Sequence, residues 1–342
     1  RYDESPEIML KNDDILISKD GTIGKLGFVE NLSSKATVAS GIFVLRNLKS
    51  NLIKTRFIYN FLSSSYFSNF IISRTEGSVI PHLYQKDFAE LDFPLPSLEI
   101  QEKIVGILDA ISLKIRLNNA INDNLLEQVL AIYRHRLVDT TNKLRQTCRA
   151  DKYFDISIGK TPPRKEPQWF SSNPKDVTWV SISDMGTCGL YISESSERLT
   201  REAVNRHNVK IVPDNTVLLS FKLTVGRIAI TDGEITTNEA IAHFKTDKKE
   251  INEYLYCYLK CFNYQAMGST SSIANAVNSK IIKGMPFVVP TDEEITEFHS
   301  LASPMFAKIK ANQAEISNLT ALRDTLLPKL MSGELDLSVL DL

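Results

Sequence analysis

The sequence predicts an α+β chain: two pseudo-symmetric mixed α/β domains separated by two long helices that pair as an antiparallel coiled coil. Three observations carry this prediction. A turn motif with flanking apolar strands occurs twice, a second duplicated segment follows each copy, and each of those leads into a long stretch with coiled-coil spacing.

The first duplication joins "NDDILISKDGTIGKLGFVE" (12–30) to "DNTVLLSFKLTVGRIAITD" (214–232). At one constant offset Ser18 falls on Ser220, Thr22 on Thr224, Gly24 on Gly226 and Lys25 on Arg227, so the shared pattern is S-x-x-x-T-[IV]-G-[KR]. The first copy alone, "SKDGTIGK", suggests a phosphate loop of a nucleotide enzyme. Its glycines are too close, however, and Leu26 stands where a magnesium-binding hydroxyl is required. Gly21 is replaced by Leu223, which makes the first glycine look dispensable. The pattern predicts a β-turn between two strands, with one glycine free to adopt positive φ.

The second duplication joins "GSVIPHLYQKDFAELDFPLP" (77–96) to "SSIANAVNSKIIKGMPFVVP" (271–290), with Lys86 on Lys280 and Pro96 on Pro290. The same offset continues into the long segments. In the first, roughly Ser97–Arg145, the seam positions are Ile104, Leu108, Ile111, Ile115, Asn118, Asn122, Leu125, Val129 and Ile132. In the second they are Phe298, Ala302, Met305, Ile309, Asn312, Ile316, Leu319, Arg323 and Leu326. Asn118 and Asn312 share one seam position, where a buried Asn fixes register at a cost in stability; the alternative is an accidental polar site. Pro304 predicts a kink or a restarted helix. Between these parts, "TRFIYNFLSSSYFSNFII" and "NEYLYCYLKCFNYQAM" read as amphipathic helices, and "DVTWVSISD" as a strand with Trp179 in the core.

Composition limits the function. The 342 residues carry 40 Lys and Arg against 41 Asp and Glu, a net charge of −1, so any polyanion site must be a local patch. No apolar run approaches the roughly 18 residues of a membrane span, so no membrane partner is expected. The four cysteines form no C-x-x-C pair and read as reduced thiols of a cytoplasmic protein. "TPPR" (161–164) has paired prolines but no aromatic to stack on a flipped base, which speaks against a base methyltransferase. After Pro213–Asp214 no [DE]-x-K follows before "HFK" (243–245), and no histidine triad or metal-ligand spacing is evident, so no catalytic residue and no bound metal are expected.

Taken in order, these features resemble the specificity subunit of a type I restriction–modification enzyme. The residues that carry the likeness are "GKTPPRKEPQWF" with "DVTWVSISDM", the S-x-x-x-T-[IV]-G-[KR] loop in both copies, the junction "PLPSLEIQEKIVGILD", and the C-terminal "LRDTLLPKLMSGELDL". The resemblance implies a first target-recognition domain over 1–96, a conserved helix over 97–145, a second target-recognition domain over 146–291 and a second helix and tail over 292–342. Each domain would read one half of a split DNA target, and the helices would act as a spacer and dock two methyltransferase subunits. The chain itself would be non-catalytic and would bind no cofactor. S-adenosylmethionine, ATP and magnesium would sit on the methyltransferase and the motor–nuclease subunits. The sequence departs from the family in one place: the counterpart of the "TPP…W" half does not precede Ser18, so the first domain reads as incomplete. The rival reading is a coiled-coil scaffold whose repeated domains bind protein and not DNA.

The expected DNA contacts are side chains that can meet phosphates or base edges. Lys19, Thr22 and Lys25 in the first loop and Lys222, Thr224 and Arg227 in the second are candidates, the cations being phosphate contacts or solvated turn charges. The "GKTPPRKEPQW" segment adds Lys160, Thr161, Arg164, Lys165 and Trp169. The second duplication adds Ser78, His82, Tyr84 and Lys86, then Ser272, Asn275, Asn278 and Lys280, where an Asn either reads adenine or only caps a turn.

Overall fold

The computed structural model describes residues 9–75, 82–92, 95–139, 145–267, 278–335 and 337. In chain order the elements are β1 (Ile15–Ser18), β2 (Leu26–Phe28), β3 (Ile42–Leu45), α1 (Thr55–Leu62), α2 (Ser65–Thr75), α3 (Leu98–Tyr133), β4 (Thr147–Arg149), α4 (Ala150–Tyr153) and β5 (Asp155–Ile158). Then come β6 (Phe170–Ser171), β7 (Val177–Val180), α5 (Asp184–Thr187), β8 (Tyr191–Ile192), β9 (Glu197–Leu199), α6 (Arg201–Arg206), β10 (Val217–Ser220), β11 (Ile228–Thr231), β12 (Thr236–Thr237) and β13 (Ile241–Lys245). The chain closes with α7 (Asn252–Cys261), α8 (Ser279–Lys283), β14 (Pro286–Val288) and α9 (Asp292–Ser332). It divides into two compact units, Arg1–Leu117 with Glu315–Leu342, and Asn118–Ala314.

The first unit holds an antiparallel sheet in the order β2-β1-β3. Ile15 and Ile17 alternate inward and are fully buried, as a strand with one covered face requires. They meet Phe57, Phe61, Phe67 and Leu83, together with Ile104 and Leu108 of α3 and Leu327, Leu330 and Met331 of α9. The predicted single helix over 55–72 is two helices. The Ser63 and Ser64 hydroxyls donate to the carbonyls of Tyr59 (2.9 Å) and Phe61 (2.6 Å), competing with the helical ladder where the serines cluster.

The second unit has a five-stranded sheet, β5-β13-β10-β11-β8, and a four-stranded sheet, β12-β7-β9-β6, with β14 paired to β4. Every residue of β10 and β11 is buried, which explains why each reads as an apolar run, closed by Ser220 and Thr231, and not as an alternation. The duplication is exact in pairing. Ile15↔Phe28 and Ile17↔Leu26 correspond to Val217↔Ile230 and Leu219↔Ile228. Ser18↔Ile42 and Ile15↔Leu45 correspond to Ser220↔Ile241 and Val217↔Phe244. Among the described residues of the first unit nothing corresponds to the four-stranded sheet.

The two long helices run antiparallel within each unit. In the first unit Lys114 pairs with Glu315 (3.4 Å) and Lys103 donates to the Leu337 carbonyl (3.3 Å). In the second, the Tyr133 and Phe298 rings meet at 5.9 Å and Asn312 Nδ2 donates to Asn122 Oδ1 (2.8 Å). Ile104, Leu108, Ile111, Asn118, Val129, Phe298, Ile309 and Asn312 are buried seam residues, while Ile115, Leu125, Ile132, Met305, Ile316, Leu319 and Leu326 are half-buried. Next to three of these, Tyr133, Phe306 and Leu327 are buried more deeply. An α-helix drifts about 20° per heptad from a 3.5-residue repeat, so the buried position passes to the following residue.

Two boundaries differ from expectation. α9 is one helix through the exposed Pro304, without a restart, because Phe298, Ala302, Phe306 and Ile309 hold both sides of it in one core. α3 ends at Tyr133 and passes into a π-helical turn, Arg134–Asp139, rather than continuing to Arg145. Beyond it the backbone is used by β4, which pairs with β14 from Thr147, while Val289 N donates to Gln146 O (2.9 Å). No helix among the described residues is long and apolar enough to cross a membrane.

Candidate nucleic-acid interface

Both copies of S-x-x-x-T-[IV]-G-[KR] close the same loop by the same bonds. In the first, the Ser18 hydroxyl donates to Thr22 O (2.5 Å) and accepts from Lys25 N (2.9 Å), while Gly24 N donates to Ser18 O (2.8 Å). In the second, the Ser220 hydroxyl donates to Thr224 O (2.6 Å) and accepts from Arg227 N (3.0 Å), while Gly226 N donates to Ser220 O (3.0 Å). Gly24 and Gly226 have φ of 81° and 91°, the left-handed region that makes a glycine the unstrained choice. The serine is thus a staple across the loop, and the threonine and the exposed residues before it form the tip.

That tip corrects the reading of Gly21. Gly21 (φ 67°) and Leu223 (φ 59°) adopt the same left-handed conformation, so the position demands positive φ and a leucine occupies it in the second copy. Lys19 and Lys222 are also not equivalent. Lys19 N donates to Gly41 O and Phe221 N to Ala240 O, which matches Lys19 with Phe221 and Asp20 with Lys222.

In the first unit the two predicted segments converge. Leu83 N donates to Lys19 O (3.3 Å), and His82 Nδ1 contacts Asp20 Oδ1. The His82 ring lies 4.5 Å from that of Tyr84, and Lys86 Nζ lies 5.6 Å from the Tyr84 ring. Lys19 is half-buried, with Nζ 5.1 Å from the Phe43 ring, whereas Thr22, Lys25, Tyr84 and Lys86 are exposed. The surface therefore offers Lys25 and Lys86, a threonine and an exposed aromatic ring, with Asp20 as its acid. Ser78, Ser272 and Asn275 lie outside the described residues.

In the second unit the "GKTPPR" segment joins the loop around Glu239, a residue the sequence did not single out. The Thr161 hydroxyl donates to Glu239 Oε2, and Lys160 N donates to Thr237 O (2.9 Å). Burial pushes the Glu239 carboxyl up, but the Thr161 bond and the charges of Lys222 and Arg164 outweigh it and hold the group below its ordinary range. Glu239 is thus an anion between cations. Lys160, Lys165, Lys222 and Thr224 are exposed. Arg164 is held by a bidentate pair with Glu197 (2.7 and 2.8 Å) and lies 4.2 Å from the Phe170 ring and 4.7 Å from that of Trp179.

Three expected contacts are committed elsewhere. Trp169 is only 5% exposed and donates from Nε1 to Glu166 (2.8 Å), so it belongs to the core with Trp179 and has no free face. Asn278 spends its side-chain oxygen on Lys280 N and Ile281 N (both 3.0 Å), capping α8. Its counterpart Tyr84 begins the 3-10 turn Gln85–Glu90, and Tyr84 N donates to Asp87 (2.7 Å), so Lys86 and Lys280 occupy matching exposed positions. Arg227 donates to the Ile182 carbonyl (2.6 Å) and is half-buried, unlike the exposed Lys25.

The chain's relatives agree with this architecture. It is 22% identical to the type I restriction enzyme HindI specificity subunit of Haemophilus influenzae, over 95% of this chain and 87% of that protein. It is 24% identical to the MjaIX specificity subunit of Methanocaldococcus jannaschii, over 91% of this chain and 75% of that protein. The crystal structure of the type I restriction–modification S subunit from M. genitalium shares the fold, with a TM-score of 0.53 at 16% identity over 95% of this chain and 84% of that one. The type I restriction modification DNA specificity domain matches residues 3–127 and 151–320, one match for each copy of the stapled loop, and the chain belongs to that family.

Proposed function

We propose that the chain is the DNA-recognition subunit of a type I restriction–modification complex, each unit reading one half of a split target. The observation that carries this reading is the loop built twice with the same serine staple. Each copy lifts a threonine and at least one cation to an exposed tip, beside a second segment that supplies further cations. Such a surface suits phosphate contacts that set register, with base edges read by the side chains between them. The overall charge gives no attraction to DNA, so binding rests on these local cations.

In this reading catalysis belongs to partners. Two methyltransferase subunits dock on the helices and hold S-adenosylmethionine, and motor–nuclease subunits hold ATP and magnesium. Among the described residues no group of three or more His, Cys, Asp or Glu side chains could hold a metal ion. The test is co-expression with the methyltransferase subunit followed by methylome sequencing. A methylated two-part motif that disappears when this chain is omitted supports the proposal; methylation without such a motif, or unchanged by its omission, rejects it.

A further inference from the structure

Leu223 is the most unusual residue of the second unit's loop. It is 98% exposed, and its φ of 59° is one that a side chain with a Cβ adopts at a cost. The first unit meets the same requirement with Gly21, which has no such cost. The loop's closure does not depend on the leucine, since the Ser220, Gly226 and Arg227 bonds hold it as Ser18, Gly24 and Lys25 hold the other. A bulky apolar side chain in left-handed backbone, directed at water and flanked by exposed Lys222 and Thr224, is held against both strain and solvation.

We propose that Leu223 is a specificity-determining contact that packs on the 5-methyl group of a thymine in the major groove of the second unit's half-site. This rests on the DNA-recognition reading above. The thymine methyl is the apolar group that the major groove displays, and it distinguishes T·A from the other pairs. Lys222 and Thr224 beside it suit the flanking phosphates. The corresponding tip of the first unit, with Gly21, lacks this contact, so only one of the two half-sites depends on a methyl group at that position.

The test uses the full chain assembled with its methyltransferase subunits and synthetic duplexes carrying the motif found by methylome sequencing. Thymines of the second half-site are replaced one at a time by uracil, which removes only the methyl group. For one position, uracil should weaken wild-type binding about fourfold, the worth of roughly one buried methyl group. Leu223→Gly should weaken binding to the thymine duplex by a similar factor and be indifferent to uracil there. Leu223→Gly relieves the backbone, so its thermal midpoint should match or exceed wild type, which separates lost contact from lost fold. Leu223→Asn, which tolerates the same backbone, should bind like the glycine variant. If the wild-type complex reads the split motif but Leu223→Gly binds it equally well, the leucine proposal fails and the recognition reading stands. The same holds if uracil acts equally on wild type and variant. If the wild-type complex shows no preference for the motif, both fail.

Discussion

The Ser220 hydroxyl closes its loop in both directions: it donates to Thr224 O and accepts from Arg227 N, and the residue is fully buried. Ser220→Ala leaves the Arg227 N–H without that partner and should cost about 1–3 kcal/mol in a urea melt. Ser18 makes the same bonds but is half-buried, so water can replace it and Ser18→Ala should cost less. His243 makes a different prediction. It is fully buried between the Ser157 and Thr237 hydroxyls, 3.0 Å from Nδ1 and 2.7 Å from Nε2. Burial, with a smaller push from Lys245, lowers its pKa to about 3 from 6.5. Below pH 6.5 the unfolded chain therefore binds a proton that the fold refuses, and stability falls as pH drops toward 3. Between pH 6.5 and 4.5 this amounts to roughly 2 kcal/mol, which His243→Gln should remove from the pH dependence of the melt. Above about pH 7.5, a unit past the unfolded pKa, the histidine contributes almost no slope. A wild-type slope retained in the glutamine variant would assign it to other groups.

The seam shows what periodicity reveals about an element and what it leaves hidden. Apolar spacing and the paired asparagines place both helices and their antiparallel contact, because a seam is a one-dimensional pattern. The drift from Met305 to Phe306 and from Ile132 to Tyr133 depends on how the helices wind and is not written in the spacing. The duplicated loop was legible because its serine and its last glycine are local requirements: the hydroxyl staples the loop and the glycine takes positive φ. Glu239 and the burial of Trp169 were not, since both depend on strands distant in sequence coming together. The break at Ser63–Ser64 lay in view as a serine cluster, but the apolar spacing on either side reads as one helix. Asn312, 1% exposed and bonded to Asn122, is a buried polar group in a mostly apolar seam. Asn312→Leu should raise the thermal midpoint while loosening the register, measured as faster amide exchange in the flanking helical turns. A lower midpoint would show that the asparagine bond outweighs apolar packing there.

For the whole molecule, a net charge of −1 and a few exposed cations on each unit make binding local and salt-dependent. Lys25→Ala should weaken binding to all duplexes nearly uniformly and reduce the slope of log K against log salt by about 1. Arg227→Ala should also destabilise the second unit, because Arg227 supports the Ile182 carbonyl from inside the loop. One chain with two stapled loops should read two half-sites. Methylome sequencing of cells that express the chain with its methyltransferase, set beside cells in which 146–291 is exchanged for the same region of another specificity subunit, tests it most directly. The expected result is a two-part methylated motif in which the exchange alters one half and leaves the other unchanged. A contiguous motif, or an exchange that alters both halves, would contradict it.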